Sequence, residues 1–178
     1  MTEIEILEQR EGFRGKLIDV WVDRVRMPNG NEAEMEVIRH PGATAIVAVT
    51  GGDVLLVRQY RYATGEWILE VPAGKLEAGE DPETSARREL EEETGFRPDR
   101  LISLGWIWTT PGFTDEKIWL FLAGELQRSR QGLEVDEVLS VDRMPFDQAV
   151  DKAMTGEIRD AKSVCALIRA AQILGPAA

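Results

Sequence analysis

The sequence contains few of the residue types that usually announce a reaction chemistry. Its 178 residues include one cysteine, Cys165, and one histidine, His40. A single cysteine excludes an internal disulfide, and we interpret Cys165 as a small core residue in an apolar stretch. A lone histidine before Pro41-Gly42 is typical of a turn. If the protein is an enzyme, its general base therefore has to come from a carboxylate.

Long apolar runs and net positive charge are also absent. No apolar run reaches the roughly 18 residues that span a bilayer, and the first residues lack signal-peptide character, so we expect a cytoplasmic protein without a membrane partner. The net charge of −11 disfavours a general nucleic-acid surface. With 43% hydrophobic residues, the chain is long enough for one well-buried domain and short for two.

One stretch has helix signals at both ends. Asp81 predicts an N-cap, Pro82 suits the first helical position, and Gly95 suits a left-handed stop. Ala86 and Leu90 follow Pro82 at intervals of four and predict a narrow apolar stripe. We therefore predict a helix that packs on a core along this stripe.

Three carboxylates share another face of the same helix. Glu89, Glu92 and Glu93 stand at i, i+3 and i+4. Such a cluster is either a solvated acidic face or a site for a hard cation such as Mg²⁺ or Mn²⁺. Helix spacing alone does not choose between these two interpretations.

The whole stretch, GKLEAGEDPETSARRELEEETGF, resembles the Nudix box at every fixed Gly, Glu and Arg position. The resemblance favours the metal interpretation and implies a loop-helix-loop that holds Mg²⁺, with Mn²⁺ able to substitute. It implies that Arg88 holds the carboxylates in place and that Glu80 ties the loop to the helix. The metal ligands that it implies are the main-chain carbonyl of Ala73 and the carboxylates of Glu89, Glu92 and Glu93, the last two also counted as catalytic.

Flanking segments resemble the Nudix subfamily that hydrolyses ADP-ribose. The runs VRQYR and GEWILEVPAG imply that Arg61 lies on the substrate diphosphate and that Glu70 lies on the substrate side. The run TTPGFTDE implies a loop around Pro111 that lines the substrate pocket. Trp21 is either an aromatic residue that stacks on the base or a half-buried strand residue.

Residues 125–137 are polar and lack apolar periodicity, so we predict a loop. In Nudix relatives of this kind a glutamate of this loop acts as general base. The candidates are Glu134, Asp136 and Glu137; alignment of the following run favours Glu137, and a one-residue gap favours Glu134. Ser140 stands where many relatives keep a second glutamate.

Alternating apolar residues and turn signals predict the remaining elements. A hairpin is predicted from 20–27 and 34–40. The other elements that we predict are strands at 43–49, 54–60, 101–108 and 117–122, a helix opening at 144–146, and an apolar helix at 163–174.

The resemblance implies an α/β fold, a Nudix α/β/α sandwich with a mixed β-sheet, preceded by an N-terminal antiparallel β-hairpin region. We assign 1–40 to this N-terminal region and 41–178 to the Nudix hydrolase domain. In the ADP-ribose subfamily such an N-terminal piece is exchanged between subunits, which implies a homodimer.

The implied activity is Mg²⁺-dependent hydrolysis of ADP-ribose to AMP and ribose 5-phosphate, or of a related nucleoside diphosphate sugar. Another nucleotide sugar such as GDP-mannose is an alternative, because the run GEIRDAK resembles the tail of both kinds of enzyme. A nucleotide-sensing regulator that does not hydrolyse its ligand is an alternative of another class, which the intact glutamates disfavour. A plain interaction module is the remaining possibility.

Overall fold

The computed structural model describes residues 3–16, 18–133 and 138–175, and within them ten strands and three helices. The chain forms two compact units. The N-terminal unit consists of Met1–Gly42 with Trp108–Lys117, and the sheet unit of Ala43–Ile107 with Ile118–Ala178. None of the described helices is long and apolar enough to cross a membrane. The assignment of 1–40 to an N-terminal region and of 41–178 to a hydrolase domain stays a prediction, because the division into compact units does not report function.

The N-terminal unit is built on a three-stranded antiparallel sheet. Its strands are β1 (Glu5–Arg14), β2 (Asp19–Arg26) and β3 (Glu32–Arg39), in the order β1-β2-β3. The β2–β3 pair confirms the hairpin predicted at 20–27 and 34–40. Its turn is closed by a hydrogen bond of 2.8 Å from the Met27 N–H to the Asn31 carbonyl.

The second segment of this unit is fastened to β3 through its backbone. The Ile38 N–H donates to the Phe113 carbonyl at 2.8 Å, and the Asp115 N–H donates to the Ile38 carbonyl at 3.2 Å. The Thr109 hydroxyl also donates to a carboxylate oxygen of Glu116 at 2.8 Å. The loop that contains Pro111 is therefore held at both ends.

The sheet unit contains a seven-stranded mixed sheet. Its central path runs β10-β5-β4-β9-β8, with β6 paired to β5 and β7 paired to β4. β4 pairs in parallel with β9 and antiparallel with β5 and β7. The strands are β4 (Ala43–Thr50), β5 (Asp53–Arg61), β6 (Glu66–Glu70), β7 (Ala73–Lys75), β8 (Phe96–Trp108), β9 (Lys117–Arg128) and β10 (Leu139–Pro145).

Helices cover both faces of this sheet, which confirms the α/β/α sandwich. They are α1 (Pro82–Thr94), α2 (Phe146–Thr155) and α3 (Ala161–Leu174). Because successive side chains of a strand point to opposite faces of the sheet, β4 contributes residues to the hydrophobic cores on both faces. Ile46 packs in one core with Ala86 and Leu90 of α1. Val47 packs in the other core with residues of α2 and α3.

Two local predictions were wrong. The loop predicted over 125–137 does not begin at 125, because β9 continues to Arg128. There β9 runs beside β8, and the Gln127 side chain donates a hydrogen bond to Asp99 at 3.0 Å. Apolar periodicity could not predict this extension of β9, because it depends on pairing with another strand. The helix predicted to open at 144 begins at Phe146, because Met144 is paired with Val54 in the sheet.

Candidate active site

Helix α1 carries the carboxylates, and its ends are defined by local chemistry. The Asp81 carboxylate accepts hydrogen bonds from the N–H groups of Glu83 and Thr84, at 3.0 and 3.2 Å. Gly95 has a φ of 74° and donates its N–H to the Glu91 carbonyl at 2.8 Å. These contacts confirm the predicted helix boundaries and hold the carboxylate face in one orientation.

Strand β7 passes against this face at very short range. At Gly74 an added Cβ atom would lie 2.0 Å from the carboxylate carbon of Glu89. Real Cβ atoms do not approach that closely, so only glycine leaves room for this carboxylate. Glu89 is 8% exposed. The glycine of β7 therefore lets a buried carboxylate lie directly against the strand backbone.

Arg88 lies among three carboxylates. Its Nε and Nη2 atoms donate to the two oxygens of Glu80, both at 2.9 Å. Its Nη1 atom lies 2.8 Å from Glu89 and 2.9 Å from Glu92. As the resemblance implied, Arg88 gathers the helix glutamates, and Glu80 joins the preceding loop to the helix.

This cluster shifts the titration of its members. The hydrogen bonds from Arg88 lower the pKa of Glu80 from 4.5 to about 2. In turn, the hydrogen bonds to Glu80, the charge of Glu89 and the hydrogen bond to Glu92 raise the pKa of Arg88. Glu80 and Arg88 therefore both keep their charges at neutral pH, and their ion pair stays intact there.

Glu93 connects the helix to the opposite strand. Its side chain is buried at 3% exposure, and its Oε2 atom accepts a hydrogen bond from the Ala73 N–H at 3.1 Å. Ala73, whose main-chain carbonyl is a predicted metal ligand, is therefore in direct contact with Glu93 through its N–H group. Glu89 and Glu93 are both buried, whereas Glu92 is partly exposed.

Arg61 and Glu70 face each other at the ends of β5 and β6. The guanidinium donates three hydrogen bonds to the carboxylate, at 2.6, 3.1 and 3.2 Å. Burial lowers the pKa of Arg61, but the hydrogen bonds to Glu70 and the charges of Glu70 and Glu93 outweigh burial, so its pKa is raised. Glu93 of α1 is therefore one of the charges that raise the pKa of Arg61, after the hydrogen bonds to Glu70.

The donor chemistry here suits a hard divalent cation. Carboxylate and carbonyl oxygens are the ligands that Mg²⁺ prefers, and Glu89, Glu92, Glu93 and Ala73 supply them from one helix face and one strand. Within residues 3–16, 18–133 and 138–175, no three carboxylate, imidazole or thiol groups already form a coordination cluster. Glu89 and Glu92 contact Arg88, so a cation would compete with that guanidinium.

A basic cavity opens beside the helix. It has a volume of about 470 Å³ and is lined by Arg87, Arg88, Arg97 and Arg130 together with Thr84, Pro98 and two glutamates. A chain with a net charge of −11 therefore has a local concentration of guanidinium groups next to α1. Such groups favour anionic ligands.

The remaining predicted substrate residues lie in the N-terminal unit. Trp21 is a half-buried residue of β2, between Glu11 and Val37 on the neighbouring strands. Pro111 is exposed in the loop tied to β3. Their roles toward a substrate stay predictions.

The general base also stays a prediction. Glu134, Asp136 and Glu137 lie outside the described residues. Ser140 is placed on β10, where it pairs with Arg58 of β5. It therefore belongs to the sheet.

One charged group near Arg61 was missed. Lys162, at the start of α3, lies 3.2 Å from Glu70 and 3.0 Å from Asp160. Lys162 lies in the run GEIRDAK, but the resemblance of that run to the tails of two enzyme groups did not indicate that the lysine pairs with Glu70. A lysine flanked by an N-cap aspartate and followed by an apolar helix was the available signal.

Comparisons of the sequence with known proteins give matches over most of the chain. The NUDIX domain family matches residues 38–167. An ADP-ribose pyrophosphatase of Bacillus subtilis (strain 168) is 40% identical over 168 residues, which are 93% of this chain and 91% of the relative. A methanol dehydrogenase activator of Bacillus methanolicus is 39% identical over 170 residues, 94% of this chain and 92% of the relative.

A solved structure gives the same fold. The crystal structure of an ADP compounds hydrolase superposes with a TM-score of 0.89 at 25% identity, covering 98% of this chain and 95% of that chain. The likeness therefore extends through the N-terminal sheet as well as the box.

Proposed function

The chain belongs to the Nudix family, and from that membership we propose that it hydrolyses the diphosphate bond of ADP-ribose, or of a closely related nucleoside diphosphate sugar, with Mg²⁺ as cofactor. The products from ADP-ribose are AMP and ribose 5-phosphate. The observation that carries the proposal is the face of α1 on which the buried carboxylates of Glu89 and Glu93 lie against β7. Support also comes from the relative of Bacillus subtilis, whose printed name states this activity.

The family is generally dependent on divalent metal, and four groups of this chain would hold the ion: Glu89, Glu92, Glu93 and the Ala73 carbonyl. When bound, the cation neutralises diphosphate charge and makes a bound water more acidic. Mn²⁺ has similar ligand preferences and would substitute.

The protein's own groups do the remaining work. Arg61 presents a planar guanidinium that can grip two phosphate oxygens at once. Arg88 holds the carboxylates of Glu89 and Glu92 in position through its ion pairs with them. A carboxylate of 134–137, Glu137 or Glu134, takes the proton of the attacking water, because the only histidine, His40, is partly buried and accepts the Gly42 N–H.

A panel of substrates tests the proposal. We would incubate the protein and Mg²⁺ with ADP-ribose, GDP-mannose, UDP-glucose, NADH and diadenosine polyphosphates, and separate the products chromatographically. EDTA and the Glu93→Gln variant are the controls. Hydrolysis in H₂¹⁸O, followed by mass spectrometry of both products, shows which phosphorus is attacked. A preference for ADP-ribose supports the proposal, and a preference for GDP-mannose keeps the reaction but replaces the substrate.

A second candidate function is action on another enzyme. The printed name of the relative of Bacillus methanolicus, at 39% identity, favours it. The test measures the rate of a methanol dehydrogenase with and without this chain, and again with Glu93→Gln. Activation that needs Glu93 would proceed through hydrolysis, and activation that does not would point to a regulator.

We also propose a homodimer. β1 exposes three large apolar side chains at or beside its ends, Ile4, Ile6 and Phe13, each more than half exposed. Such residues are common where a second subunit packs. Analytical ultracentrifugation should give twice the chain mass of 19.9 kDa. The Phe13→Glu variant should shift the protein toward the monomer mass of 19.9 kDa. A cytoplasmic location stays a prediction.

A further inference from the structure

Residues 159–163, at the start of α3, contact residues 66–71, which are β6 and the residue after it, at three points. Arg159 lies 2.7 Å from Glu66 at the start of the strand. Lys162 lies 3.2 Å from Glu70 at its end, and the Ser163 hydroxyl accepts the Val71 N–H at 2.8 Å. The start of α3 is therefore joined to the end of β6 by an ion pair and to the following residue by a hydrogen bond.

Lys162 is a cation held between two carboxylates. Its Nζ atom lies 3.0 Å from Asp160 Oδ2 and 3.2 Å from Glu70 Oε1, and its side chain is 12% exposed. Asp160 is itself fixed, because it caps α3 by accepting the Ser163 N–H at 3.0 Å. The ammonium group thus has a defined place set by the helix cap.

Glu70 in turn is a buried carboxylate, 2% exposed, between two cations. Its Oε2 atom receives the shortest bond from Arg61 Nη2, at 2.6 Å, while its Oε1 atom faces Lys162. With both oxygens engaged, the plane of the carboxylate cannot rotate freely. The plane of the carboxylate sets the plane of the guanidinium that binds it in two places.

We propose that Lys162 is a positioning residue for Arg61, acting through Glu70, so that the start of α3 sets the orientation in which Arg61 meets a diphosphate. This inference rests on the proposed function, because Arg61 is taken to grip the substrate. Arg61 is 39% exposed and its Nη1 atom makes none of the bonds to Glu70, so an edge of the guanidinium remains for a ligand.

A purely structural lysine would behave differently. It would change the melting temperature and leave the affinity for the diphosphate unchanged. A positioning lysine changes affinity, and its effect disappears once Arg61 is removed. The two roles are therefore separated by a double-mutant cycle.

The test measures the dissociation constant of ADP-ribose by isothermal titration calorimetry in EDTA, so that no turnover interferes. Lys162→Met should raise the dissociation constant about tenfold, and Lys162→Arg should restore it to within about threefold. The matched control is Arg159→Met, which removes a cation and an ion pair to β6 from the same segment; it should stay within about twofold. In an Arg61→Met background, Lys162→Met should add less than about twofold.

Two results would overturn the inference: an unchanged dissociation constant in a folded Lys162→Met protein, or an equal effect with and without Arg61. With Mg²⁺, kcat/KM should fall in parallel with affinity. Failure of the unaltered protein to hydrolyse ADP-ribose that it binds would contradict the proposed function alone. Failure to bind ADP-ribose both in EDTA and in Mg²⁺ would overturn both.

A second measurement uses the unaltered protein and does not depend on the folding of any variant. A crystal soaked with ADP-ribose in EDTA should show Arg61 on the diphosphate and Lys162 still on Glu70. A Lys162 that contacts the ligand directly would contradict the positioning role.

Discussion

Gly74 and Glu89 are so close that the carboxylate occupies the space where any other residue would carry its Cβ atom. The added atom would lie 2.0 to 2.2 Å from all three atoms of the carboxylate group. Because Glu89 is buried, it has little room to withdraw. Any larger residue at position 74 would therefore displace a side chain fifteen positions later.

Gly74→Ala should lower kcat by at least about 100-fold and destabilise the fold by about 1–3 kcal/mol, because Glu89 or the backbone has to shift. Turnover and urea denaturation check this. Gly124→Ala is the matched control, since a Cβ atom there meets nothing within 4 Å. Full activity of Gly74→Ala would show that the position of Glu89 is unimportant.

Glu93→Gln should reduce turnover by orders of magnitude and leave the circular dichroism spectrum unchanged. The amide keeps the shape of the side chain, and its oxygen can still accept the Ala73 N–H, but the negative charge for a cation is lost. Glu83→Gln, at an exposed position of the same helix, is the control and should retain activity. An active Glu93→Gln protein would refute the metal assignment.

The general base can be assigned by comparing three single variants. If Glu137 accepts the proton from water, Glu137→Gln should cut turnover by about 10²–10⁴-fold, much more than Glu134→Gln or Asp136→Asn. The metal dependence should be unchanged in all three, because these residues are not predicted ligands. The reverse ranking of Glu137 and Glu134 would move the role to Glu134.

The Arg88–Glu80 pair should contribute to stability in a pH-dependent way. The pKa of Glu80 is about 2 in the folded protein and 4.5 as its ordinary value, so the contribution is full above pH 4.5 and is lost as pH falls toward 2. Glu80→Gln should therefore lower the free energy of unfolding by on the order of 2 kcal/mol at neutral pH. In urea titrations, the difference between the two proteins should shrink steadily between pH 4.5 and 2; a constant difference would contradict this origin.

The parts of the fold that depend on neighbouring residues were predictable. Asp81, Pro82 and Gly95 mark α1 because capping is decided within one turn of the helix. The β2–β3 hairpin was predictable for the same reason, since its turn lies between its strands. The helix face with its three glutamates follows from the period of 3.6 residues.

The parts that depend on distant residues were not predictable. The Val71 N–H donates a hydrogen bond to the Ser163 hydroxyl, which lies 92 residues away in the chain, and no local sequence pattern predicts that contact. The same holds for Lys162 beside Glu70, and for the continuation of β9 beside β8. Polarity indicated a loop at 125–128, and tertiary pairing made it a strand.

The parallel pairing of β4 with β9 also has a kinetic consequence. Ile46 lies opposite Phe121, and the whole of α1 and β8 stands between these strands in the chain. Closing so long a loop costs entropy before any pairing energy is gained, so folding through this step should be slow, on the order of milliseconds to seconds. During synthesis on the ribosome, β4 emerges well before β9, so the apolar side chains of β4 stay exposed until β9 has been made. Chaperone demand during synthesis should therefore be set by this one central strand.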